Sequence, residues 1–247
     1  MIEINVEKVG QTAAVMEYLK PDTTYHIFNH ANGFENVFTE EDNFRYFLER
    51  YQVYISPIAE TYAYCLMPNH FHLVVRIRKR EVIEEIIRNR NSTSNNFSID
   101  NFSIDNFSKV PNFGKVSSSC SSIENKEIEK FLSKQFSNLF SSYTQSFNKV
   151  YKRMGSLFIK NFKRETILDK NHFFNVIIYT HRNPIHHGFC SAFTDWGYSS
   201  YSEIIKQNSK IVEVDKLIKM FGNRSRLIEI HQQNLDKFNQ LTELEAP

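Results

Sequence analysis

Cysteine is nearly missing from this chain. The three present, Cys65, Cys120 and Cys190, are odd in number and far apart, which excludes a disulfide framework. They match no zinc-ligand spacing either, so free thiols in a reducing cytoplasm are the expectation. An excess of one charge is missing too: 30 Lys and Arg against 28 Asp and Glu leave a net charge of +2. The bulk composition therefore does not mark a nucleic-acid binder, and any such role must come from a local basic patch. No apolar run approaches the length that spans a bilayer, so no membrane role is expected. The opening MIEINVEKVG lacks the basic-then-apolar layout of a secretory signal. Aromatic residues, by contrast, are plentiful. A hydrophobic fraction of 41% with 22 Phe and 12 Tyr supplies a real core and argues against wholesale disorder.

The length suits one large domain or a domain with appendages. TTYHIFNHANGFENVF (23–38) reads as a strand, a turn at Asn32-Gly33 and a short extended piece. TEEDNFRYFLERYQVY (39–54) has an acidic start after Thr39, and Phe44, Phe47, Leu48 and Tyr51 at helical spacing. AETYAYCLM and HFHLVVRIR are strand candidates joined by a turn at Pro68-Asn69. From about Asn91 to Ser122 the pentamer NFSID occurs twice before a serine-rich run. A period of five fits neither helix nor strand, and such polar repeats bury no core, so this reads as a flexible insertion. Ile128, Leu132, Phe136, Leu139, Phe140 and Phe147 then mark a long helix within 123–153. SLFIKNFKRETI (156–167) reads as extended, and 168–184 as a helix with Asp169 in its first turn, ending near Pro184. A loop, DWGYSSY, and two or three shorter helices complete the chain. Strands and helices are mixed without regular alternation, so the expected fold is α+β with a small antiparallel sheet.

Three features carry chemistry. First, His70 and His72 alternate with Phe71 and Leu73 along a strand, so both imidazoles share one face with Val74, Arg76 and Arg78. Two imidazoles at that spacing can chelate a divalent ion, and the arginines suit an anion such as phosphate. Two polar residues on a wet sheet face would read the same way. Second, Tyr179 and Asn183 stand four apart and project together if the last helical turn persists. Asn183 would offer an oxygen ligand and Tyr179 a phenol beside the metal; a wet tyrosine and a helix cap are the plain alternatives. Third, Lys149, Lys152, Arg153, Lys160, Lys163 and Arg164 fall in one stretch without an acid, interleaved with Tyr151, Phe158 and Phe162. Charge with stacking surfaces suits single-stranded nucleic acid; a solvated basic face is the competing reading.

The blocks YHIFNHANGFENVF, AYCLMPNHFHLVV, FNKVYKRMGSLFIKNFK, YTHRNPIHHGF and DWGYSSY, in this order, resemble the single-tyrosine HUH transposases, and within them the REP-associated tyrosine transposases. The resemblance covers about 22–205, interrupted by the insertion. It implies a ferredoxin-like antiparallel sheet with helices over 1–205, leaving 206–247 as a helical C-terminal appendage. It implies metal ligation of Mg²⁺ or Mn²⁺ by His70, His72 and Asn183, with Tyr179 as the nucleophile on single-stranded or hairpin DNA. Arg76 and the basic residues 149–164 are the implied DNA contacts. His187 replaces the small residue that relatives often carry before the motif's glycine. A non-cleaving hairpin-binding protein and a relaxase or replication-initiator nuclease stay open at this stage. So do the DNA target and whether the protein is a monomer or dimer.

Overall fold

The computed structural model describes residues 18–93 and 122–245. Most of the Ser/Asn-rich insertion, with Cys120, lies outside the described residues. The first strand, β1 (Thr24–His30), leads through a turn to helix α1 (Glu41–Tyr54). Gly33 in that turn has φ +88, a left-handed conformation that glycine adopts without strain. Asn43 fastens the helix start, its side-chain oxygen accepting from the backbone N–H of Thr39 (2.9 Å) and Glu40 (3.2 Å). Strands β2 (Ala59–Met67) and β3 (His70–Ile77) form a hairpin across Pro68-Asn69. The Pro68 carbonyl accepts from the N–H groups of Val37 (2.7 Å) and Phe38 (3.0 Å), which ties the hairpin to the chain entering α1.

Helices α2 (Arg80–Thr93) and α3 (Asn125–Val150) precede the short strand β4 (Lys163–Thr166). Residues 156–162 are irregular, with bends and a left-handed Asn161 (φ 63), so the expected strand shrinks to its last third. Helix α2 was not anticipated from the sequence. Its apolar stripe is narrow, with Ile83 and Ile87 buried, and Glu84 binds Arg80 and Arg88 at 2.8 Å on either side.

The four strands form one antiparallel sheet in the order β2-β3-β1-β4, the arrangement of a ferredoxin-like β-α-β-β-α-β unit. Strand alternation sends Ile27, Phe71, Leu73 and Val75 to one face, where Phe71 meets Phe47 of α1 and Phe140 of α3. The opposite face carries His26, Phe28, His30, His70 and His72. Helix α4 (Lys170–His186) covers it. A wet outer face is thus excluded for His70 (3% exposed) and His72 (4%), while His30 at the strand end stays exposed.

Three further helices follow, α5 (Tyr201–Ile205), α6 (Val214–Phe221) and α7 (Arg224–Glu245). The segment between α4 and α6 runs along the outer edge of β2. Tyr198 O accepts from Leu66 N, Ser200 N donates to Tyr64 O, and Glu213 N donates to Thr61 O. An exposed strand edge invites foreign pairing, and this wrapping removes it. Residues 206–245 are packed onto the rest: Lys216 binds Glu60 at 2.7 Å and Phe221 packs on Phe174 of α4.

Candidate active site

Helix α4 brings the site together. Asp169 is its N-cap, accepting from His172 N at 2.9 Å, rather than a residue of the first turn. The helix does not stop before Pro184. It continues to His186, with Pro184 inside its last turn. Proline there forgoes one i to i−4 bond, and the next is made by His187 N to Asn183 O at 3.1 Å. That extra turn keeps Asn183 helical, so Tyr179 and Asn183 do share a face.

On that face, the half-exposed Tyr179 ring stands edge-on to His72 (5.4 Å between centroids) and to His26 (6.0 Å). One turn on, the buried Asn183 places Oδ1 3.2 Å from His70 Nε2. The four residues singled out in the sequence, His70, His72, Tyr179 and Asn183, therefore sit together. Three further histidines join them, of which His26 and His30 were not singled out in the sequence. His26 Nε2 lies 2.9 Å from His72 Nδ1, His30 stacks on His70 at 4.6 Å, and His187 meets the edge of His70 at 5.1 Å. His26 and His30 were visible in the alternation of YHIFNH, which has the same period as HFH. From β4, Lys163 lies over the Phe28 ring and Glu165 Oε2 lies 3.9 Å from His26 Nδ1.

Burial governs the charge state of this cluster. It lowers the His70 pKa to about 4, helped by His30 and His187 and opposed by the hydrogen bond to Asn183. Burial also pushes His72 well below its usual value, with His26 and His70 adding to the effect. Partial burial lowers His30 and His187 as well. Glu165 is held below the usual carboxylate range by His26 beside it, against its own partial burial. The two imidazoles on β3 are thus neutral at physiological pH, the form that binds metal.

The donor atoms can be tested against a divalent ion. Among the described residues no group of three His, Cys, Asp or Glu side chains is arranged to hold one. Any ion here would need the Asn183 amide oxygen beside two imidazoles. Asn69 Oδ1 accepts from His70 Nδ1 at 2.7 Å, which leaves Nε2 as a lone pair facing the Asn183 oxygen. With Oδ1 turned inward two lone pairs face each other across 3.2 Å, the arrangement a shared cation would join; with the amide turned over, Nδ2 would donate to His70 Nε2 instead. Adjacent ligands of an octahedral ion bound at about 2.1 Å stand roughly 3 Å apart. Asn183 Nδ2 is buried with no hydrogen-bond partner, so its amide is not oriented by bonds of its own. His70 Nε2 and the Asn183 oxygen have the spacing of neighbouring ligands on a small divalent ion, and joined by His72 Nε2 they would form a set that suits Mn²⁺ better than Mg²⁺.

Other sequence candidates are placed elsewhere. Arg76 shares the histidines' face but is paired with Thr24 at the far end of β3, six residues from His70 or roughly 20 Å. Its guanidinium binds Asp22 at 2.8 Å, so the structure does not bring it to the histidines. In the basic stretch, Phe158 and Phe162 are buried against α3 and Tyr151 is half-buried, so they offer no stacking surface. The irregular chain there turns Phe158 and Phe162 into the core and leaves Lys160 and Lys163 outside. Arg153 is occupied by Glu35 (2.7 Å from Nε) and by the carbonyls of Ser156 (3.0 Å) and Gly155 (3.3 Å), as a clamp between two loops. Arg164 lies over the Phe162 ring at 4.2 Å. Lys149, Lys152, Lys160 and Lys163 remain exposed. Beside them, Phe34 and Met154 stand almost entirely in solvent. Arg182, one turn from Tyr179, was also not singled out. Burial lowers its pKa while a favourable interaction with Tyr179 opposes the shift.

A buried pair of imidazoles, an amide oxygen meeting one of them and a half-exposed phenol beside the other thus lie together between α4 and the sheet. No protein-family model matches the chain, and no curated protein matches it. A solved structure, that of a REP-associated tyrosine transposase bound to a REP hairpin, is similar over 83% of this chain and 90% of that chain. The TM-score is 0.46 and the sequence identity 14%.

Proposed function

We propose that this protein is a transposase that cleaves and rejoins single-stranded DNA, with Tyr179 as the nucleophile. The observation that carries the reading is the position of the Tyr179 ring: half-exposed, against His72, and one turn from the Asn183 that meets His70. A free phenol with a pKa of about 10 is a poor nucleophile and needs its developing charge stabilised. When bound by His70, His72 and Asn183, Mg²⁺ or Mn²⁺ would supply charge stabilisation at the scissile phosphate. The Tyr179 oxygen loses its proton and attacks phosphorus, the bond from phosphorus to the 3′ oxygen breaks, and that oxygen leaves as a 3′-hydroxyl. The product is a 5′-phosphotyrosine. Because one phosphodiester replaces another, rejoining to a second 3′-hydroxyl needs no ATP.

Lys163 beside Phe28, with exposed His30 and His187 around His70, would meet the phosphates nearest the break. Lys149, Lys152 and Lys160, with Phe34 at the adjoining loop, would hold the flanking strand. The test is incubation with single-stranded hairpin DNA and Mn²⁺, followed by denaturing electrophoresis. A covalent adduct is expected for the wild type and none for Tyr179→Phe, a loss of at least about a thousandfold. Equal adduct from both proteins would remove Tyr179 from the role.

A further inference from the structure

Two hydrogen-bonded chains end on the β3 histidines, and they determine which ring nitrogen carries each proton. For His70 the arrangement is short: Asn69 Oδ1 accepts at Nδ1, so Nε2 is bare. For His72 the partner is another imidazole, with 2.9 Å between His26 Nε2 and His72 Nδ1. One of these nitrogens donates and the other accepts. If His26 donated, its Nδ1 would present a lone pair to Glu165 Oε2 at 3.9 Å, and His72 would carry its proton on Nε2. If His72 donates, the His26 proton lies on Nδ1, on the carboxylate side, and His72 Nε2 is bare. A separation of 3.9 Å exceeds a hydrogen bond, so Glu165 acts through its charge, and that charge favours the second arrangement. Nothing else among the described residues hydrogen-bonds His72.

The rings are held in plane by packing. His26 is buried and stacks on Phe28 at 4.9 Å and on His72 at 5.1 Å. Register places Glu165 opposite His26 and Lys163 opposite Phe28, so β4 supplies the carboxylate at the only neighbouring position that reaches His26 Nδ1 among the described ion pairs.

We propose that His26, with Glu165 behind it, is a positioning residue that fixes the tautomer and ring plane of His72, leaving His72 Nε2 with a free lone pair. Its use for binding metal rests on the function proposed above; the tautomer itself does not. A histidine ligand commonly gives its other N–H to a carboxylate or carbonyl, and here an imidazole stands between ligand and carboxylate.

The experiment reads the tautomer directly, by ¹⁵N side-chain NMR of the metal-free protein, and then Mn²⁺ affinity by titration. His72 is expected with its proton on Nδ1. His26→Phe keeps an aromatic ring in the stack but removes the acceptor. It is expected to move the His72 proton partly to Nε2 and weaken Mn²⁺ binding about 10- to 100-fold. His26→Gln retains an acceptor oxygen and is expected to restore most of the affinity, a rescue that packing alone would not give. Glu165→Gln, on a half-exposed residue, is expected to give a smaller loss in the same direction and serves if the His26 variants do not fold. A wild-type His72 protonated at Nε2, or a folded His26→Phe with unchanged tautomer and affinity, overturns the proposal. A wild type that binds no Mn²⁺ at all contradicts the metal-assisted reading instead, while the tautomer still decides the role of His26.

Discussion

The molecule contains two imidazole pairs with the same hydrogen bond, and they have opposite fates. His26 and His72 meet at 2.9 Å on the sheet, and His181 and His231 meet at 2.9 Å between α4 and α7. The second pair is closed at both ends. His231 Nδ1 donates to Leu227 O at 2.8 Å, and His181 Nε2 lies 2.9 Å from the Ser200 hydroxyl, which in turn meets the β2 backbone at Tyr64. Every ring nitrogen has a partner, and both residues are buried. The first pair is open: it ends at a carboxylate 3.9 Å away on one side, and on the other at a ring facing the half-exposed Tyr179. A buried polar group with all its bonds made is structural, and one whose bonds are incomplete has capacity left for a ligand. His181 is two residues from Tyr179, yet its partners place it with the fold and not with the chemistry.

The largest way to break this contrast is to remove a donor from each pair's neighbourhood. His70→Ala is expected to reduce Mn²⁺ affinity by at least about a hundredfold and adduct formation with it. Calorimetric titration measures the first, and unchanged binding would exclude His70 as a ligand. The closed pair is tested by acid. Burial lowers the His231 pKa from 6.5 to about 4. Above pH 6.5 the imidazole is neutral in both folded and unfolded chains, so stability is at its full value. As pH falls from 6.5 toward 4 the unfolded chain takes up the proton first, and about 3 kcal/mol of stability is lost. Thermal melts from pH 7 to 4.5 should show this decline, and His231→Gln should make it shallower, leaving the share carried by the other buried histidines, His70, His72 and His181. A wild-type slope retained in the variant would show that His231 does not carry it.

Smaller effects separate the two kinds of basic residue. Phe34→Ala is expected to weaken single-stranded DNA binding about tenfold with no change in melting temperature, since the ring has no packing to lose. Lys160→Ala should cost only a few-fold and reduce the salt slope of binding by about one. Arg153→Ala should do the reverse, lowering melting temperature through loss of the loop clamp to Glu35 while leaving the salt slope nearly unchanged. Fluorescence anisotropy at several salt concentrations, with melts on the same proteins, distinguishes these outcomes.

The contrast between local and distant information also explains what could be read from the chain. The β2 and β3 strands, the α1 and α3 stripes and the antiparallel α+β sheet follow from local periodicity, and the structure has them. Tyr179 and Asn183 were readable because four-residue spacing is local, although their common face depended on the helix continuing through Pro184. Helix α2 carries an equally local signal, Ile83, Ile86 and Ile87 at helical spacing. Two kinds of feature were not readable. The direction of Phe158 and Phe162 depends on which side of an irregular segment meets α3. The division between open and closed histidines is set by contacts across 46 and 50 residues, which no local pattern encodes. His26 and His30 are an intermediate case: their alternation was present, but its meaning required the register that pairs β1 with β3.

The central claim is that the open pair serves a nucleophile at Tyr179. After reaction with hairpin DNA and nuclease trimming, tryptic digestion places Tyr179 in the peptide spanning 171–182, where it is the one tyrosine. Mass spectrometry is expected to find the residual nucleotide, joined through its 5′ phosphate, on that peptide. Nucleotide mass on a different tyrosine peptide, or an adduct with this peptide unmodified, would contradict the account.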